Sequence, residues 1–122
     1  SWLRGKYIQQ PTEPVITLNF ANAALQAEDT ELAEKLLRDF LLKQPDHPLA
    51  LDLLTQVYER SGKRAAMYET RAESLALRGN FRLAIDQLHT AHNHTDSDLT
   101  HKRLNARIEQ MRSLEQQIKS LM

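Results

Sequence analysis

Cysteine is absent from the 122 residues of this chain. Disulfides, thiolate nucleophiles and sulfur-ligated zinc are thereby excluded. Glycine and proline are scarce, with three and four copies, and most of them fall between stretches of helical periodicity. They form no phosphate-cradling loop, and none flanks Ser61, Ser74, Ser97 or Ser113 in a nucleophile elbow. Strand-like alternation is missing, and no apolar run approaches the roughly 18 to 20 residues of a membrane span. Net charge is also missing, because sixteen basic residues offset sixteen acidic ones. No basic footprint therefore favours nucleic acid or an anionic membrane. The chain opens at Ser1 with neither methionine nor signal peptide. It reads as an excised fragment whose cellular address was encoded upstream.

What remains is dominated by Leu, Ala, Gln, Glu, Lys and Arg, all strong helix formers. Spacing and punctuation predict helices over about 14–27, 30–43, 48–60, 63–78, 81–92 and 98–121. Proline suits the first turn at Pro14 and Pro48, where its missing N–H has no partner to lose. Asp29 or Thr30 can cap the second helix. Gly62 and Gly79 suit the left-handed position just past a helix end. Residues 1–13 read as the tail of a preceding helix and a linker.

The frame Pro-x-x-Pro occurs at Pro11–Pro14 and again at Pro45–Pro48, an offset of 34 residues at both prolines. That is the period of the tetratricopeptide helix-turn-helix repeat. Numbered from Pro14, Ala21 and Ala33 take positions eight and twenty. Small residues there let two antiparallel helices approach closely. A third proline is not found, since Gly79 stands in its place. Numbered afresh from Ala65 the pattern returns, with Ala72 at eight, Gly79 at fifteen and Ala84 at twenty. The expected fold is all-α, an α-solenoid of tetratricopeptide repeats over 14–97 with a long C-terminal capping helix over 98–122. The apolar stripe Leu104, Ile108, Met111, Leu114, Ile118 and Leu121 runs along that cap, and its early part should seal the array.

In such arrays the first helix of each repeat lines a concave face. The polar residues predicted there are Asn22 and Gln26, then Asp52, Gln56, Glu59 and Arg60, then Glu69 and Glu73. Val15, Leu18, Leu25 and Leu49 share these positions, and Leu18, Leu25 and Leu49 equally suit the core. Leu18, Leu53, Ala66 and Thr70 replace the cations and amides of a carboxylate clamp, so a mixed groove for an extended peptide or loop is expected. His89, His92, His94 and His101 cluster with Asp96. Their spacing lacks a matching ligand pair and suits a solvated helix end better than a metal. No catalytic residue and no metal ligand is expected. The near-heptad stripe of the last helix offers a rival role in dimerisation or scaffolding, although a monomer is the simpler expectation.

Three stretches carry a family resemblance: EPVITLNFANAAL at 13–25, RAESLALRGNFRLAIDQL at 71–88 and LNARIEQMRSLEQ at 104–116. In order and content they resemble the C-terminal tetratricopeptide domain of the beta-barrel assembly-enhancing proteases, periplasmic zinc metalloproteases of Gram-negative bacteria. The resemblance runs along nearly the whole chain from Glu13. It implies a separate upstream protease domain with a His-Glu-x-x-His helix. That motif does not occur in this sequence, so zinc would belong to the other domain and no cofactor to this chain. It also implies a periplasmic location and a protein partner, either the outer-membrane barrel assembly machinery or its clients.

Overall fold

The computed structural model describes residues 14–122, so the tail and linker expected over residues 1–13 lie outside it. The described residues form six helices and no strand: α1 (Pro14–Gln26), α2 (Thr30–Lys43), α3 (Pro48–Arg60), α4 (Arg64–Leu77), α5 (Phe81–His92) and α6 (Asp98–Ser120). The all-α repeat arrangement is as expected. The chain divides between Lys63 and Arg64 into two compact units. The break falls where the 34-residue register restarts.

In the first unit α2 packs against both α1 and α3, and α1 also meets α3. Ala21, Ala33 and Ala50 are fully buried at the close approaches. Leu25, Leu36, Leu37, Phe40, Leu51, Leu54 and Val57 fill the space around them. Side chains too small to hold backbones apart, ringed by large ones, give the packing density a core requires. Asp29, rather than Thr30, caps α2, its carboxylate accepting from the Leu32 N–H at 3.2 Å. His47 caps α3, with Nδ1 accepting from the Ala50 N–H at 3.3 Å. The same ring meets Phe40 edge-on with centroids 5.1 Å apart. One side chain thus joins the end of α2 to the start of α3.

The second unit repeats the plan with α4, α5 and α6. Its core is Ala72, Phe81, Ala84, Leu88, Ala91, Leu104, Ile108 and Met111. Ala72 and Ala84, at positions eight and twenty, are again fully buried. The α6 stripe is buried through Met111 and then emerges: Leu114 is 39% exposed, Ile118 45% and Leu121 87%. The early part of the last helix therefore seals the unit, as its stripe predicts, while its last turns have no cover within the unit.

Three turns share one local geometry. Glu28, Gly62 and Gly79 have φ of 62°, 74° and 82°. After each, an N–H reaches back five residues to a carbonyl: Asp29 to Ala24, Lys63 to Tyr58 and Asn80 to Leu75. This is the pattern that satisfies the free carbonyls of a helix end.

Candidate functional site

The predicted face can be followed one unit at a time. In the first unit Asn22, Gln26, Gln56, Glu59 and Arg60 are exposed, and Asp52 is half-buried. Gln26 Nε2 donates to Asn22 Oδ1 at a long 3.5 Å, one turn away on α1. Arg60 is engaged structurally, with Nη1 donating to the Leu25 carbonyl at 3.1 Å. That carbonyl lies at the end of α1, so the last residue of α3 closes the helix one repeat earlier. Of the apolar residues sharing these positions, Leu18 and Leu25 belong to the core, whereas Val15 and Leu49 are 65% and 63% exposed. Leu18 cannot serve as a clamp residue, being buried. Thr70 is also buried, and its hydroxyl donates to the Ala66 carbonyl at 2.8 Å.

In the second unit Glu69 and Glu73 are half-buried, and both are held by arginines of α6. Arg103 Nε and Nη2 donate to the Glu69 carboxylate, each at 2.9 Å. Arg107 Nε and Nη2 donate to the Glu73 carboxylate, each at 2.8 Å. Two-pronged pairs of this kind fix both side chains. Bonding to Glu69 raises the Arg103 pKa further, against the opposing effect of burial. Each pair joins residues 34 apart. The arginines are the residues that sequence reasoning missed, and the repeat offset itself is the signal that could have found them. On α4, Arg71 also donates to Gln87 of α5 at 3.4 Å.

The histidines form contacts within the α5–α6 junction. His92 and His101 stack with centroids 3.7 Å apart. His101 Nε2 lies 3.1 Å from the His92 carbonyl and 2.6 Å from that of Thr95. Carbonyl oxygens only accept, so this nitrogen carries the proton. His94 stacks on Tyr68 of α4 at 5.3 Å. These rings tie the turn together more closely than a solvated helix end requires. Among the described residues no group of three or more His, Asp or Glu is placed to hold a metal ion. Nor is any described helix long and apolar enough to cross a membrane.

One further charged group is built outside the predicted face. Glu34 on α2 accepts from Lys63 Nζ at 2.7 Å and from Arg38 Nη1 at 3.3 Å. Burial pushes its carboxyl upward, but the bonds and charges of Lys63 and Arg38 together outweigh burial and hold it below the ordinary carboxylate value.

No protein-family model matches the chain. Individual relatives do. A protein of Yersinia pestis named beta-barrel assembly-enhancing protease is 36% identical over 118 residues, covering 96% of this chain and 24% of the relative. The proteins of the same name from Escherichia coli K12 and Shigella flexneri are each 34% identical over 109 residues, covering 88% of this chain and 22% of the relative. The chain thus spans about a quarter of the length of the curated relatives it matches.

Proposed function

From a homology that covers 88% to 96% of its length, we propose that this chain is the tetratricopeptide interaction segment of a beta-barrel assembly-enhancing protease. The reading makes the segment non-catalytic. It contacts a protein partner, while a zinc-dependent protease domain elsewhere in the parent cleaves. The parent would act in the periplasm, in the assembly and quality control of outer-membrane barrel proteins. The partner would be the barrel assembly machinery or an unassembled barrel chain. The observation that carries this is the alignment with relatives bearing that name, 36% identical over 118 residues. The fold supports it, because within each unit the helices one 34-residue period apart present side chains toward the same strip.

The test uses the immobilised chain. It is offered solubilised outer-membrane barrel assembly machinery and, separately, a urea-unfolded outer-membrane barrel protein diluted into buffer. Retention of one of these, with none on a helical repeat protein of unrelated sequence, is the expected outcome. Retention of neither overturns the reading.

One observation favours a second reading, self-association through the last helix. Leu114, Ile118 and Leu121 emerge from the core at the 4- and 3-residue spacings of a coiled-coil seam. A sedimentation coefficient independent of concentration would exclude it.

A further inference from the structure

We draw no further inference here: the strongest candidate, the exposed apolar stripe of Leu114, Ile118 and Leu121 on the last turns of α6, already carries the self-association reading, and nothing in the structure shows what covers it.

Discussion

Glu28 occupies a backbone conformation that its two counterparts entrust to glycine. At φ 62° its Cβ crowds the following carbonyl, a cost of about 1–2 kcal/mol for an L-residue. Glycine relieves that crowding and gives back part of the gain through a freer unfolded chain. Glu28→Gly should therefore raise stability by about 0.5–1 kcal/mol, read as a higher midpoint in urea. Gly79→Ala should lower it by about 1 kcal/mol. An added Cβ there meets nothing within 4 Å, so the left-handed φ of 82° is the whole cause. A loss in both variants would remove the shared-turn explanation. Glu34 gives a pH dependence of defined sign. Its folded pKa lies below the ordinary carboxyl value of 4.5. The stability it contributes is present above that value and is lost as pH falls through the lower, folded one. Glu34→Gln should cost at most about 1 kcal/mol at neutral pH, because both cationic partners are more than half exposed. The gap in melting temperature between variant and wild type should close on acidification below about pH 4.5. A gap that persists at pH 3 would contradict this account.

At the scale of an element, α6 changes character along its length. Leu104, Ile108 and Met111 face the core formed with α4 and α5, and Arg103 and Arg107 anchor the same stretch to α4. Beyond Met111 the apolar stripe continues, but its residues are exposed. Met111→Ala should cost about 2–5 kcal/mol, the range for emptying a buried site of this size. Ile118→Ser should change stability by no more than about 0.5 kcal/mol, as at a surface position. Comparable losses by denaturant titration would mean that the last turns of α6 are covered as well. The stripe is continuous in sequence from Leu104 to Leu121, and nothing local marks where burial stops.

At the scale of the whole molecule, the two Pro-x-x-Pro frames, Ala21 with Ala33 and Ala72 with Ala84 make the repeat legible in the sequence. The restart at Ala65 reads in the sequence as a slip of period within one continuous array, whereas the structure divides into two units beside it. Helix limits were legible because they depend on proline, glycine and capping side chains a few residues away. The candidate face was legible only in part. Asn22, Gln26 and Gln56 are exposed where the repeat numbering placed them, but Glu69 and Glu73, which looked equally available, are held by arginines of α6. The histidines looked like a loose polar turn, yet His101 bonds two carbonyls and stacks on His92. By itself, then, the sequence determined the helices, their order, the period and the small residues at the close approaches. These follow from dihedral preference and from a repeating pattern of side-chain size, both written along the chain. Only the tertiary structure decided which polar groups are already spent, where α6 leaves the core and which strip keeps its amides exposed. Those outcomes depend on side chains that meet across 34 residues, and their reach is fixed by the packing of three helices together.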